Sequence, residues 1–173
     1  LQAIEELGVE IEAILLTHTH FDHVGAVAPV AEATGAPVYC PKLEREVLAN
    51  IMDFVPWPGF GPFESYDADE LVAGGEKLQL AGFEIDVLFT PGHSPGHVTY
   101  SIPSELVVFS GDVLFESSIG RTDLPGADTA TLMQSLATLL ETLPDETAVH
   151  AGHMQDTTIG RKRATNPFLA QLA

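Results

Sequence analysis

Within six residues, His18, His20, Asp22 and His23 offer three imidazoles and a carboxylate in the order His-X-His-X-Asp-His. In an extended backbone alternate residues point the same way, so His18 and His20 present both rings to one point. A turn at Asp22-His23 then aims a carboxylate and a third imidazole at a neighbouring point. Neutral imidazole and carboxylate are the ligand types that borderline divalent metals take. Packing gives no reason for four such side chains directly after a buried strand.

Three other places share this grammar. Thr-Pro-Gly-His-Ser-Pro-Gly-His at 90–97 sets His93 at a glycine-rich strand end, Ser-Gly-Asp at 110–112 sets Asp112 at another, and Ala-Gly-His at 151–153 supplies His153. One histidine or aspartate beside a glycine is an ordinary turn residue. Here, however, five of the seven histidines join the set, all at expected strand ends.

The elements that must position these residues can be read from periodicity and turn signals. Residues 1–7 have a helical period that stops at Gly8. Residues 13–16 form a short buried strand, 25–34 a helix with Pro29 in its first turn, 38–40 a strand, and 42–52 a helix. This alternation implies an α/β arrangement. Residues 53–69 are irregular, and their aromatics Trp57, Phe60, Phe63 and Tyr66 either plug the core edge or wall a substrate pocket. Strands follow at 77–80, 83–89, 97–102 and 106–110, separated by turn residues. A helix spans 128–143, with Asp128 at its start, and a last short strand covers 148–150. Neither a repeat nor a linker divides the chain, so one domain over 1–173 is expected.

Composition narrows the function. Twenty-five acids against seven bases give a net charge of −18, which disfavours nucleic acid and anionic membranes as partners. Apolar residues make up 45%, enough for a core. The aliphatic run at 13–16 is far too short to cross a bilayer. No basic-then-apolar leader opens the chain, and the single Cys40 cannot form an internal disulfide, so a reducing, cytoplasmic setting is expected. Cys40 reads as a small core residue, and Arg161-Lys162-Arg163 as a solvated face.

Taken together, these motifs resemble the metallo-β-lactamase superfamily, in its glyoxalase II-like branch. The resemblance rests on T-H-T-H-F-D-H at 17–23, P-G-H-S-P-G-H at 91–97, S-G-D at 110–112 and G-H at 152–153. I-G-R-T-D-L-P-G-A-D at 119–128 and T-N-P-F-L at 165–169 are similar to small bacterial members. It implies a four-layer αββα sandwich. It further implies two metal sites: His18, His20 and His93 at one, Asp22, His23 and His153 at the other, with Asp112 bridging. Two divalent ions, zinc foremost and iron or manganese as alternatives, would then generate a bridging hydroxide that attacks a polarised carbonyl. Asp22 and Asp112 are the carboxylates placed at that chemistry. The small-molecule substrate implied is a thioester such as an S-2-hydroxyacyl-thiol, because a thiolate leaves with little proton help.

The family's fold begins with strands that precede its first helix, so a chain truncated at its N-terminus relative to the family is expected. Only twenty residues follow His153, short of the helical domain with which full glyoxalase II enzymes grip glutathione. The thiol carrier is thus open among glutathione, another small thiol and coenzyme A. Rival readings are a mononuclear-iron persulfide dioxygenase, which shares an R-T-D segment like that at 121–123, a lactone or β-lactam hydrolase, and a non-catalytic chain. Arg121 either pairs with a substrate carboxylate or forms a salt bridge to Asp123 or Asp128. His97 either orients the site from behind or begins the next strand, and His150 caps or lines a strand end.

Overall fold

Short apolar runs, each too brief for a helix, become the strands of a small parallel sheet in the first part of the chain. The computed structural model describes residues 1–55 and 57–169. The chain divides into two units, Leu1–Val72 and Ala73–Ala173, each with its own sheet and core. The mixed α/β class expected from the sequence is observed in both.

In the first unit, α1 (Gln2–Leu7) stops at Gly8, which takes the left-handed conformation. Strands β1 (Ile14–Leu15), β2 (Val38–Pro41) and β3 (Glu70–Val72) pair in that order, all parallel. Parallel neighbours need crossover connections. Helices α2 (Phe21–Val24) and α3 (Val27–Thr34) provide the first, and α4 (Arg45–Ala49) with the irregular stretch after it provides the second. Pro29 lies in the first turn of α3, where its missing N–H costs nothing. The single helix expected over 42–52 is broken into two 3₁₀ turns flanking α4. Asn50 ends α4, its side-chain amide donating to the Glu46 carbonyl and carboxylate at 3.1 and 3.0 Å, a local alternative to the helical ladder. Leu16, Val24, Val27, Val38, Leu48 and Ile51 form the core of this unit.

In the second unit, β4 (Lys77–Leu80), β5 (Phe83–Phe89), β6 (Val98–Ile102) and β7 (Val107–Gly111) run as an antiparallel meander. After α5 (Thr129–Thr142), β8 (Ala148–Ala151) joins parallel to β7. The strand at 148–151 is not the last, because β9 (Thr157–Thr158) pairs antiparallel with it and leads into α6 (Ile159–Thr165). Helix α5 buries Leu132, Leu136, Leu139 and Leu140 in a core with Val108 and Val149 of the sheet. Asp128 caps α5 by accepting the Thr131 N–H at 2.7 Å, which holds its carboxyl below the usual range.

The topology of this sheet decides where its chemistry lies. β5 and β7 flank β6, both antiparallel to it, and β8 is parallel to β7. The C-terminal ends of β5, β7 and β8 therefore lie at the same edge. Segments 90–97, 110–112 and 151–153 all lie at or just past those ends. Among the described residues no helix is long and apolar enough to cross a membrane.

Candidate metal centre

The first unit gathers its four donors at the end of β1. His18 is fully buried, and Thr19, pointing the opposite way, donates its hydroxyl to Oε2 of the buried Glu44 at 2.7 Å. That bond pins the extended backbone between the two histidines. His20 then caps a single helical turn, α2, where the sequence suggested only a turn. The coil brings His23 back toward His18, with ring centroids 4.2 Å apart, while His18 and His20 meet edge-on at 4.8 Å. The Asp22 carboxylate lies 3.8 Å from His23 Nε2 and remains partly open to solvent.

The second unit gathers two imidazoles around one carboxylate oxygen. Asp112 is buried, and its Oδ2 lies 3.5 Å from His93 Nε2 and 3.4 Å from His153 Nε2. A charge-assisted hydrogen bond would be shorter, about 2.7–2.9 Å. Two ligands held at about 2.0–2.2 Å on one tetrahedral ion stand roughly 3.3–3.6 Å apart, which is the spacing seen. The ring state of His93 agrees. Its Nδ1 faces the Arg121 carbonyl at 2.9 Å, and a carbonyl can only accept. Nδ1 therefore carries the hydrogen, and in the neutral ring Nε2 turns a lone pair toward the carboxylate. These donors fit a divalent cation.

A buried chain of hydrogen bonds holds Asp112 from behind. The Asp112 N–H donates to His97 Nε2 at 3.1 Å, so His97 carries its hydrogen on Nδ1 and donates to Thr90 Oγ1 at 3.0 Å. The Thr90 hydroxyl in turn shares a hydrogen bond with Thr99 Oγ1 at 2.9 Å. His97 thus both precedes β6 and orients the site, and the two alternatives from the sequence are not exclusive. A bulge in β7 between Phe109 and Gly111 turns the chain so that Asp112 leaves the sheet here. Helix α5 buttresses the His93 loop, with Ser135 donating to the Pro91 carbonyl at 2.7 Å and the Asp128 N–H to that of Gly92 at 2.8 Å. Gly92 has φ +130, and a Cβ there would lie 2.3 Å from the Leu132 nitrogen. At Gly120 a Cβ would lie 1.9 Å from the Asp112 carbonyl oxygen. Both positions exclude any side chain.

With these clusters in view, the comparisons with known proteins are decisive. Residues 1–153 match the family described as the metallo-β-lactamase superfamily. The chain belongs to that superfamily. It is 42% identical to the probable metallo-hydrolase YqgX of Bacillus subtilis, over 97% of this chain and 80% of the relative. It is 37% identical to hydroxyacylglutathione hydrolase GloC of Haemophilus influenzae, over 98% and 81%. Among solved structures, BLEG-1 B3 metallo-β-lactamase superposes with a TM-score of 0.90 at 42% identity, covering 97% of this chain and 81% of that one. A di-iron-bound form of TTHA1623 gives 0.87 at 45%, covering 97% and 82%. ETHE1 from Myxococcus xanthus gives 0.76 at 29%, covering 98% and 68%. The fold is that of the superfamily, the chain is a metallo-hydrolase of it in the glyoxalase II-like branch, and divalent metal is implied.

Other residues singled out in the sequence make contacts of their own. Arg121 makes a bidentate pair with Asp123, both bonds 2.7 Å, and draws that carboxyl down to about 2. Asn166 of the T-N-P-F-L segment donates to the Ser118 carbonyl at 2.9 Å, tying the chain after α6 to the loop beyond Asp112. Lys162 departs from the solvated face expected for the basic run. It is buried, donates to the Glu116 carbonyl, and has its pKa lowered by desolvation and by Arg161. His150 lies within β8, stacks on Phe109 and pairs with Asp156 at 2.9 Å. The bond from Thr19 to Glu44 went unforeseen. Thr19 could have been suspected from its place between two histidines, but nothing local marks Glu44.

Proposed function

We propose that this chain hydrolyses small-molecule thioesters with a pair of divalent ions. Likeness to GloC supports the acyl-thiol class. Following the superfamily pattern, His18, His20 and His93 would hold one ion and Asp22, His23 and His153 the other, with Asp112 a ligand they would share. The observation that carries the reading is one buried Asp112 oxygen within 3.5 Å of two imidazole nitrogens. When bound, such ions supply Lewis acidity and water acidified toward neutral pH. The di-iron form of TTHA1623 supports two-ion occupancy and makes iron as eligible as zinc, with manganese also suited to these donors.

The chain's own contribution is preorganisation. His97 fixes the Asp112 backbone, the Arg121 carbonyl fixes the His93 tautomer, and Thr19 fixes the extended segment between His18 and His20. Asp22, the more exposed carboxylate, orients the attacking water. A thiolate leaves without a dedicated acid. The charge of −18 turns nucleic acid and anionic membranes away, and the buried free thiol of Cys40 suits the cytoplasm. The second reading is a mononuclear-iron persulfide dioxygenase, which the likeness to ETHE1 favours.

The test is metal content of protein purified without added metal, followed by a thioester assay. About two ions per chain and hydrolysis are expected. A single iron with oxygen consumption selects the dioxygenase instead, and metal-free folded protein overturns both. Asp112→Ala lowers occupancy at both positions, and unchanged stoichiometry would refute the bridge.

A further inference from the structure

The irregular stretch beyond α4 does more than plug the core edge. Phe21 lies between the donors His20 and Asp22, and three aromatic rings gather on it. Phe63 stacks at 5.9 Å from below the surface, while Trp57 and Phe60 stand edge-on to Phe21 at 5.4 and 5.9 Å. Trp57 and Phe60 are about half exposed and splay at 51° with centroids 5.8 Å apart, an open wedge beside the donor run. Large aromatics left in water next to a site are most simply explained by an apolar ligand group that covers them.

Charge sharpens the choice of ligand. The only charged residues at 50–66 are Asp53 and Glu64, both acidic. Six of the seven bases are paired or buried: Arg45 with Asp67, Lys77 with Glu84, Arg121 with Asp123, Arg161 with Glu116, Arg163 with Asp145, and Lys162 in the interior; the seventh, exposed Lys42, lies outside 50–66 and carries no guanidinium. A ligand carrying several carboxylates would meet repulsion here and no free guanidinium fork.

We propose that Trp57 and Phe60 form an apolar subsite that selects uncharged substrates with an aromatic or branched hydrocarbon group, against polyanionic thiol carriers. This rests on the thioester reading for its substrate class, but the subsite itself can be measured without turnover. Trp57 is the single tryptophan, so its emission reports the wedge directly. Three non-hydrolysable thioethers serve as probes: S-benzyl-2-mercaptoethanol, neutral and aromatic; bis(2-hydroxyethyl) sulfide, neutral without the ring; and S-benzylmercaptosuccinate, with the ring and two carboxylates.

A saturable change in emission is expected with the first probe, with binding about tenfold weaker for each of the others. Phe60→Ala weakens the first probe about tenfold, whereas Phe109→Ala, an exposed aromatic of the other unit, leaves it unchanged. No saturable change, equal binding of all three probes, or wild-type affinity in Phe60→Ala overturns the proposal. Discrimination among the probes without hydrolysis of any thioester would overturn the hydrolase reading alone. Hydrolysis without discrimination would overturn the subsite alone.

Discussion

The two units assemble their donors by opposite means. In Leu1–Val72, four donors come from six consecutive residues, carried by a two-residue strand and one turn of helix. In Ala73–Ala173, three donors at positions 93, 112 and 153 are united only because β5, β7 and β8 end at the same edge of a six-stranded sheet. A two-residue strand and a four-residue helix have no stability of their own. The first cluster is therefore held by what surrounds it, the bond of Thr19 to Glu44 included. The second depends on the framework, and its donors converge on one buried carboxylate.

That asymmetry predicts which carboxylate matters more. Asp112→Asn keeps the shape but removes the charge that faces two imidazoles, and activity should fall about 10³-fold, roughly 4 kcal/mol of transition-state stabilisation. Asp22→Asn, at a partly exposed position 3.8 Å from one imidazole, should cost about tenfold less. Steady-state kinetics on both variants, each loaded to saturation with metal, checks this. Equal losses would break the comparison.

Supporting bonds come next in size. His97→Leu removes the acceptor of the Asp112 N–H, and metal affinity should drop by about 10- to 100-fold with His97→Gln, which keeps an acceptor, recovering part of it. Thr19→Val is nearly isosteric but takes a donor from a buried carboxylate, at a cost of about 2 kcal/mol. Because the Thr19 bond holds the backbone between two donors to a buried carboxylate, Thr19→Val should lower stability and metal affinity together, while His97→Leu lowers mainly affinity. Urea denaturation beside metal titration separates them. A Thr19→Val variant with full stability would show that the short strand holds itself.

The same asymmetry governs what could be read from the chain. His18 to His23 announce themselves because two-residue spacing is a local property of extended backbone. His93, Asp112 and His153 each look like a turn residue, and only their shared topology, or the family resemblance, joins them. The meander from 77 to 111 was legible because each strand pairs with its neighbour across a short turn. Strand β3 was not, since Glu70-Leu71-Val72 lies among acids and becomes a strand only where β2 offers a parallel partner. Helix α6 was hidden by Gly160 and the basic run, though the Thr158 hydroxyl, accepting the Arg161 N–H at 3.2 Å, is a cap signal. The burial of Lys162 was not legible, because composition cannot tell which base of three turns inward.

The smallest effect sharpens the contrast through pH. Burial shifts Cys40 in the first unit and Lys162 in the second toward their neutral forms, and the two respond to pH with opposite sign. Burial pushes the Cys40 thiol up to about 12, helped by Glu44. Above about pH 9 the unfolded thiol loses its proton and the folded one keeps it, so stability falls, by roughly 1 kcal/mol between pH 9 and 10. Desolvation instead lowers the Lys162 amine. Between that lowered value and the ordinary value near 10.4, the folded state binds fewer protons than the unfolded one, so stability rises with pH. Lys77, raised to about 12 by Glu84 and Asp86, contributes a constant amount below the ordinary lysine range and does not interfere there. Urea denaturation from pH 8.5 to 10 should therefore fall less steeply in Cys40→Ala than in the wild type, and more steeply in Lys162→Met. Unaltered slopes in both variants would mean that burial shifts neither group in the folded chain.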